Sequence, residues 1–180
     1  LLGSIPFGLI ITKKFLGKDI GNIGSGNIGT TNVLRTGKKS LAAATLLFDV
    51  LKGYVSILIS YKYFNELIYL SALICFIGHI FPVWLKFKGG KGVATYLGII
   101  LGISFMLGLI FGVAWIIIAI IFRYSSLSSI LGSMIVCIYS IFTSNEIQTY
   151  FLFIIFVIIV FTHKENIIRL KNSKESKIKL

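Results

Sequence analysis

VATYLGIILGISFMLGLIFGVAWIIIAIIF, residues 93–122, is a run of thirty residues without a charged side chain. A helix needs roughly 20 apolar residues to cross the hydrocarbon core of a bilayer. The run is therefore too long for one untilted span, and its glycines allow a break. We expect a short helix over 93–103, a turn near Ser104, and a second helix over 105–122.

Similar apolar runs recur along the whole chain, which has 180 residues, 56% of them hydrophobic and only 13% charged. Soluble domains carry about 25% charged residues, so a soluble domain and a disordered chain are both excluded. The predicted fold class is all-α integral membrane, a single polytopic membrane domain over residues 1–180 with a basic tail at 163–180. Seven transmembrane helices are predicted at about residues 1–12, 41–61, 67–85, 93–103, 105–122, 127–143 and 147–162.

The basic residues predict the topology of these helices. The net charge is +12, and 16 of the 18 Lys and Arg residues lie in four segments, which are 13–40, 86–92, 123–126 and 163–180. Seven spans place all four segments on one face, which the positive-inside rule makes cytoplasmic. We therefore expect the N-terminus outside, the C-terminus in the cytoplasm and the candidate active-site loops on the cytoplasmic face. Because the bases lie between membrane spans, anionic lipids or small anions are expected as partners and nucleic acid is not.

The first polar segment, residues 24–35, reads GSGNIGTTNVLR. It contains G-x-G-x-x-G, but its flanks are membrane helices and not a βαβ unit, so a dinucleotide site is disfavoured. Glycines let the backbone approach an anion, and the planar fork of Arg matches a phosphate. The candidate phosphate ligands here are Ser25, Asn27, Thr31, Asn32 and Arg35. The alternative is a polar interfacial loop whose one Arg reaches the lipid headgroups.

The second segment, residues 78–95, reads GHIFPVWLKFKGGKGVAT. It is not a Walker A motif, because a glycine follows its last lysine where Ser or Thr is required. Its glycines are expected to expose backbone N–H groups to a phosphate, next to the start of a helix, which attracts anions. The candidate ligands are Lys88, Gly89, Gly90, Lys91 and Gly92. The alternative is a basic turn between two spans, and His79, alone at an apolar helix end, favours a structural over a catalytic role.

The third segment, residues 163–170, reads HKENIIRL. On a helix, His163, Asn166 and Arg169 share one face, because they follow one another at intervals of three. That face would present an imidazole, an amide and a guanidinium where the last span meets the cytoplasm. The alternative is a basic tail that binds anionic lipid, and for residues 171–180 this is the expected role.

Asp49 and Lys52 form an i, i+3 pair inside a predicted span. Charges at membrane depth are costly and usually functional. Mutual neutralisation within one helix is the alternative, and the sequence leaves both interpretations open.

Together these segments resemble the bacterial acyl-phosphate–glycerol-3-phosphate acyltransferase family (PlsY). The resemblance runs from Gly3 to Glu175. It rests on five ordered motifs, which are residues 24–35, Asp49-x-x-Lys52-Gly53, residues 78–95, Ser125-Ser126-Leu127-Ser128-Ser129 and His163-x-x-Asn166-x-x-Arg169-Leu170. The chain departs from the family at Thr30, where Ala is usual, at Ser173, where Gly is usual, and at Ser176, where Pro is common.

The resemblance implies an enzyme that moves an acyl group from acyl phosphate to the sn-1 hydroxyl of glycerol 3-phosphate. The products are lysophosphatidate and inorganic phosphate, in the first acylation of phospholipid biosynthesis. It further implies no metal or other cofactor, a place in the bacterial cytoplasmic (inner) membrane, and the acyl-phosphate-forming enzyme as a candidate partner. The implied catalytic residues are Ser25, Arg35, His163 and Asn166, with Arg169 binding phosphate and His79, Asp49, Lys52 and Glu175 as secondary candidates.

The residues also bear on the mechanism. Neither His79 nor His163 is followed by Asp five positions on, so the dyad of acyl-CoA-type acyltransferases is missing. No Cys or Ser stands beside a base as a nucleophile would. Direct attack by the glycerol hydroxyl is then the simpler path, with His163 or the phosphate of the donor as the base. The rival interpretation is a small transporter or lipid scramblase, although a transporter would more commonly show internal repeats.

Overall fold

The computed structural model describes residues 1–143 and 145–178, and these residues form helices, turns and loops without a strand. Lys179 and Leu180, the end of the predicted basic tail, lie outside the described residues. The helices are α1 Phe7–Leu16, α2 Thr30–Leu34, α3 Lys39–Tyr63, α4 Ile68–Ile80, α5 Val93–Ile103, α6 Phe105–Phe122, α7 Ser125–Thr143, α8 Glu146–Thr162 and α9 Lys164–Lys171. The chain forms two compact units, Leu1–Ile103 and Ser104–Leu180.

Several helices have the length and composition of membrane spans. Within the described residues, the segments that meet both requirements are Lys39–Tyr63, Asn65–Leu85, Phe105–Phe122 and Ser125–Thr143. α8 and α9 meet at an angle of 59°, and they make a fifth span if the bent pair is counted as one. This is the composition of an all-helical protein that crosses the membrane more than once. The number seven and the orientation stay predictions.

Prolines shift two helix ends relative to the sequence prediction. α1 begins at Phe7 and not at residue 1, because Pro6 precedes it with its φ fixed by the ring and without an N–H group. α4 ends at Ile80, two residues before Pro82, and a short 3-10 turn follows at Val83–Leu85. The residue before a proline disfavours the helical conformation, which explains this interruption of the segment predicted over 67–85.

Glycines bring α3 and α5 into close contact within the first unit. A Cβ atom at Gly53 would overlap the carbonyl oxygen of Thr95, and one at Gly98 would overlap that of Val50. Small residues of this kind let membrane helices approach backbone to backbone. A small apolar core in this unit includes side chains of α1, α3 and residues 24–35, and consists of Leu9, Ile20, Ile28, Val33 and Ala42.

The second unit contains α6 to α9, and α7 buries a row of serines. Ser128 and Ser133 donate hydrogen bonds to the backbone carbonyls four residues earlier in the chain. Ser129 accepts a hydrogen bond at 3.1 Å from the indole of Trp115 on α6. The serines thus satisfy their own hydroxyls while they allow close packing, and they leave the N-terminal end of α7 polar.

Candidate functional site

Residues 24–35, here called loop 1, fold around the side chain of Asn32, which is 2% exposed. Its amide nitrogen donates to the carbonyl oxygens of Ile20, Ile23 and Asn27 at 3.2, 2.8 and 2.8 Å. Its amide oxygen accepts the backbone N–H of Ser25 at 3.1 Å. Both polar atoms of this side chain are therefore bonded to the backbone of loop 1 and of the turn that precedes it. Asn32, which the sequence suggested as a phosphate ligand, holds loop 1 in shape.

The exposed polar side chains of loop 1 are those of Ser25, Thr31 and Arg35. Arg35 folds back onto Gly24, where an added Cβ atom would lie 3.0 Å from its Cδ and 3.2 Å from its Nη1. Gly24 itself has φ 56°, a conformation that favours glycine. The guanidinium of Arg35 is thereby brought next to the turn that carries Ser25. The amide oxygen of Asn27 accepts the N–H of Gly29 at 2.8 Å, so this side chain too shapes the loop.

Residues 86–92, here called loop 2, lie against the C-terminal end of α4. The N–H groups of Gly89 and Gly90 donate to the carbonyl oxygens of Ile80 and His79 at 3.0 and 3.1 Å. A Cβ atom at Gly89 would overlap both of these carbonyl oxygens. The expectation that these two N–H groups are available to a phosphate is therefore corrected. Gly89 is required because the loop packs backbone to backbone on α4, and Gly90 because a Cβ atom there would overlap the imidazole of His79.

The remaining candidates of loop 2 are side chains and one more glycine. Lys86 and Lys88 are exposed and Lys91 is half-buried, and these three side chains carry the positive charge of loop 2. Gly92 has φ 81°, and a Cβ atom there would overlap the ring of Phe76. This glycine sets the turn from which α5 begins at Val93.

A buried polar cluster joins His79 to the pair of Asp49 and Lys52. The ammonium of Lys52 forms an ion pair with Asp49 Oδ1 at 2.6 Å, lies within hydrogen-bond distance of His79 Nδ1 at 2.8 Å and donates to the carbonyl oxygen of Ile5 at 2.9 Å. The ammonium thus has a balancing charge and two hydrogen-bond partners. The sequence paired Asp49 with Lys52, but it gave no sign that His79, on another helix, completes the cluster.

In the second unit, the carboxylate of Glu175 accepts hydrogen bonds from two side chains of the third segment, residues 163–170. Its Oε1 accepts hydrogen bonds from Asn166 Nδ2 at 2.5 Å and from Ser126 Oγ at 2.8 Å. Its Oε2 accepts Arg169 Nε at 2.7 Å, so Arg169 already holds an anion, the chain's own carboxylate. Burial by itself raises the pKa of Glu175, but the hydrogen bonds from Asn166, Arg169 and Ser126 outweigh it and leave the pKa below its ordinary value. We call this group of four side chains the Glu175 clamp.

The clamp binds the C-terminal tail to the start of α7. Beyond Glu175, the N–H of Ile178 donates to the carbonyl oxygen of Arg123 at 2.7 Å. The turn that leads into the tail has Ser173 at φ 55°, where the family usually has Gly. The expectation that this stretch is only a lipid-binding tail is therefore wrong as far as residue 178. The sequence did not predict a role for Ser126, although this residue belongs to the motif Ser125–Ser129 on which the resemblance rests.

His163 lies at the bend between α8 and α9 and is 3% exposed. Its Nδ1 is 2.8 Å from the carbonyl oxygen of Ile159, which only accepts, so Nδ1 carries the proton. In the neutral ring the lone pair is then on Nε2, the atom that a general base uses. Across residues 1–143 and 145–178, no group of three or more His, Cys, Asp and Glu side chains is placed to hold a metal ion.

Known proteins match this chain over nearly its whole length. A family model described as glycerol-3-phosphate acyltransferase matches residues 1–173. The glycerol-3-phosphate acyltransferase of Pelagibacter ubique is 53% identical over 180 residues, which are 100% of this chain and 94% of that protein. That of Mesorhizobium japonicum is 52% identical over 179 residues, 99% of this chain and 91% of that protein.

Two solved structures are similar in fold. One is the crystal structure of PlsY, an integral membrane glycerol 3-phosphate acyltransferase, in its glycerol 3-phosphate form. It is 36% identical with a TM-score of 0.94 and covers 99% of this chain and 91% of that one. The other, the lysophosphatidic acid form of PlsY, is 35% identical with a TM-score of 0.90 and covers 98% and 90%.

Proposed function

The chain belongs to the glycerol-3-phosphate acyltransferase family, and from this we propose that it transfers an acyl group from acyl phosphate to the sn-1 hydroxyl of glycerol 3-phosphate. The products are lysophosphatidate and inorganic phosphate. The observation that carries the proposal is the likeness, over 99% of the chain, to PlsY in its glycerol 3-phosphate form. The lysophosphatidic acid form of the same protein supports the assignment of the product.

The polar groups that bind the two phosphates, in this proposal, are cations and hydroxyls at the ends of helices. Arg35 grips a phosphate through two nitrogens, with Ser25 and Thr31 as neutral partners, and its position against Gly24 supports this role. Lys88 and Lys91 supply positive charge in loop 2. Asn166 and Arg169 act through the Glu175 clamp, which holds α9, the helix that begins directly after His163.

The transfer is a direct displacement. The sn-1 oxygen forms a bond to the acyl carbon, and the bond from that carbon to the phosphate oxygen breaks, so that the phosphate leaves with the electron pair. The hydroxyl proton goes to His163 or to the phosphate of the donor, and the hydrogen bond from His163 Nδ1 to the carbonyl oxygen of Ile159 makes Nε2 the accepting atom in the first case.

The proposed setting is the bacterial cytoplasmic membrane, with seven spans in one polytopic domain, the N-terminus outside and the C-terminus in the cytoplasm. The distribution of Lys and Arg supports this orientation. Single cysteines placed at Lys14, Lys88 and Lys174, in a background without Cys75 and Cys137, test it by labelling from either side. Labelling of position 88 only from outside would refute both the span count and a cytoplasmic loop 2. The acyl-phosphate-forming enzyme is the proposed partner, because it releases an apolar, reactive substrate at the same membrane.

Phosphate release tests the reaction. The purified full chain in lipid nanodiscs is given an acyl phosphate and glycerol 3-phosphate, and we expect phosphate and lysophosphatidate in equal amounts. Acyl-CoA in place of acyl phosphate should give no product, and Arg35→Ala at equal protein concentration is the control for contaminating activity. Phosphate release that does not depend on glycerol 3-phosphate, or transfer from acyl-CoA, would contradict the proposal.

A further inference from the structure

Three segments of the first unit meet at the side chain of Lys52, which is 4% exposed. Its ammonium pairs with Asp49 on α3 at 2.6 Å, lies 2.8 Å from His79 Nδ1 on α4, and donates to the carbonyl oxygen of Ile5 at 2.9 Å. Charges inside a membrane protein are costly to bury and usually have a function. The mechanism described so far does not use Lys52, so the parts of the chain that it joins indicate its role.

One of these parts is the stretch directly before α1, where side chains bond to the backbone. Pro6 keeps this stretch out of a regular helix. The indole N–H of Trp84 donates to the carbonyl oxygen of Ser4 at 2.8 Å, and Lys52 donates to that of Ile5. Non-helical backbone at membrane depth requires such partners. Because Trp84 lies in the 3-10 turn that leads into loop 2, the stretch before α1 connects Lys52 with the start of that loop.

His79 makes the second connection from Lys52 to loop 2. Its ring is buried, with Nδ1 against Lys52 and the Nε2 edge against Gly90. A Cβ atom at Gly90 would overlap Nε2 and lie 2.9 and 3.0 Å from the neighbouring ring carbons, so the glycine backbone rests directly on the imidazole. The ring therefore fills the space between the ammonium and the backbone of loop 2, and a shift of one displaces the other.

We propose that Asp49, Lys52 and His79 are positioning residues that hold the backbone of loop 2 in place for substrate binding. This inference rests on the proposed function, in which Lys88 and Lys91 supply positive charge to a phosphate. The substrate affected is glycerol 3-phosphate, because it reaches an exposed loop from water, whereas its acyl chain keeps acyl phosphate in the bilayer. Asp49 balances the charge of Lys52, and His79 transmits the position of the ammonium to the loop.

Two variants break this connection at different points. Asp49→Asn combined with Lys52→Met removes the ammonium without leaving an unpaired charge, which would unfold the protein more readily. His79→Asn keeps an oxygen that accepts from Lys52 and removes the ring edge beneath Gly90. We expect each variant to raise KM for glycerol 3-phosphate about 10-fold, because a displaced lysine loses most of one charged hydrogen bond to the phosphate. The kcat and the KM for acyl phosphate should stay close to those of the wild-type protein.

The variant that combines all three substitutions tests whether the two changes act on the same connection. Residues in one contact network have non-additive effects, so its rise in KM should be clearly smaller than the product of the two separate rises. A rise equal to the full product would show two independent effects and overturn the inference.

Ile57→Ala is the matched control for lost stability, because Ile57 lies on the same helix and is 0% exposed. It should lower the thermal midpoint through the cavity that it leaves, with KM for glycerol 3-phosphate unchanged. If the cluster variants lower the midpoint in the same way and leave this KM unchanged, the cluster only stabilises the fold and the inference is wrong.

Trypsin cleavage at Lys86 and Lys88 measures the position of loop 2 without any substrate. In nanodiscs both cluster variants should be cut there about 10-fold faster than the wild-type protein, with cleavage at Lys174 unchanged. If the wild-type protein transfers no acyl group but loop 2 is released in both variants, the proposed reaction is wrong and the positioning role stands. If transfer is normal and neither the cleavage of loop 2 nor the KM changes, the reaction stands and the positioning role is wrong.

Discussion

Glu175→Gln should release the C-terminal tail from α7 while the size of the side chain stays the same. In the native protein, Oε1 accepts from Asn166 and Ser126, and Oε2 accepts from Arg169. A glutamine offers one oxygen and one NH₂ group. If its oxygen faces Asn166 and Ser126, its NH₂ meets the donating Nε of Arg169, and in the other orientation it meets the amide of Asn166. Neither orientation satisfies the clamp.

The size of the effect follows from these bonds. A hydrogen bond to a charged acceptor contributes about 1.5–3 kcal/mol, and a buried donor left without an acceptor costs about 1–3 kcal/mol. Arg169 is 37% exposed and can turn to water, so its share is reduced, whereas Glu175 is 7% exposed. We expect the substitution to weaken tail docking by about 2–4 kcal/mol, or roughly 30- to 700-fold in the docking equilibrium.

Trypsin cleavage at Lys174 and Lys177 measures the docking directly in the full chain in nanodiscs. Cleavage should be faster in Glu175→Gln by a factor in the range just given, as long as the tail redocks faster than it is cut. Glu165→Gln is the matched control. Glu165 is 76% exposed and lies 3.8 Å from Arg169, and an exposed ion pair of this kind contributes little to stability. If Glu175→Gln and Glu165→Gln are cut at the same rate, the clamp does not hold the tail.

Acid should release the tail in the same way. Because the pKa of Glu175 is lowered in the folded state, its ionised form stabilises docking. That contribution is complete above the ordinary pKa of about 4.3 and is lost as the pH falls through the lower folded value. Amide hydrogen exchange at residues 172–178 should therefore accelerate below about pH 4 in the wild-type protein. In Glu175→Gln the exchange should already be fast at neutral pH, and an equal response to acid in both proteins would refute the assignment to this carboxyl.

Three further substitutions test loop 1, loop 2 and the tail. Arg35→Lys should lower kcat/KM about 10- to 150-fold, nearly as far as Arg35→Ala, because the lysine ammonium lacks the planar pair of donors that binds two phosphate oxygens. Near-normal phosphate release by the Lys variant would show that Arg35 is not part of the site. Gly90→Ala should lower the thermal midpoint, since its Cβ would overlap the His79 ring, whereas Gly112→Ala, with open space around the added atom, should leave it unchanged. Ser173→Gly should stabilise tail docking by about 0.5–1 kcal/mol, because the left-handed conformation costs a serine about 1–2 kcal/mol and the gain in chain entropy offsets only part of this; trypsin protection equal to that of the wild-type protein would show no strain there.

The sequence predicted the helical class because thirty uncharged residues leave a chain little else to form. The break in that run lies where α5 ends at Ile103 and α6 begins at Phe105. Helix ends at Pro6 and Pro82 were placed less well, because the apolar pattern continues past residues whose backbone cannot remain helical.

The site was predictable in composition more than in contacts. The sequence predicted that the glycines at 89 and 90 bind an anion, but glycine suits both an exposed N–H group and a close backbone contact. Only the segment packed against them, the end of α4, shows that the second explanation applies. The contact of His79 with Lys52 joins residues 27 positions apart, which no periodicity reveals. Glu175 was predicted only as a secondary candidate, because the nearby Ser173 departs from the family. The serine nevertheless adopts the positive φ for which the family uses glycine.

The backbone contact between α3 and α5 has a consequence for how the protein is made. α5 has 11 residues, about 16 Å of helix, which is roughly half of a bilayer core, so its hydrophobicity alone retains it in the membrane only weakly. Its retention then depends on docking against α3, which is synthesised earlier, through the glycines at 53 and 98. The main effect of a larger residue at Gly98 would therefore appear during biogenesis, as a smaller amount of inserted protein and more degradation. The molecules that do mature would keep ordinary kinetic constants.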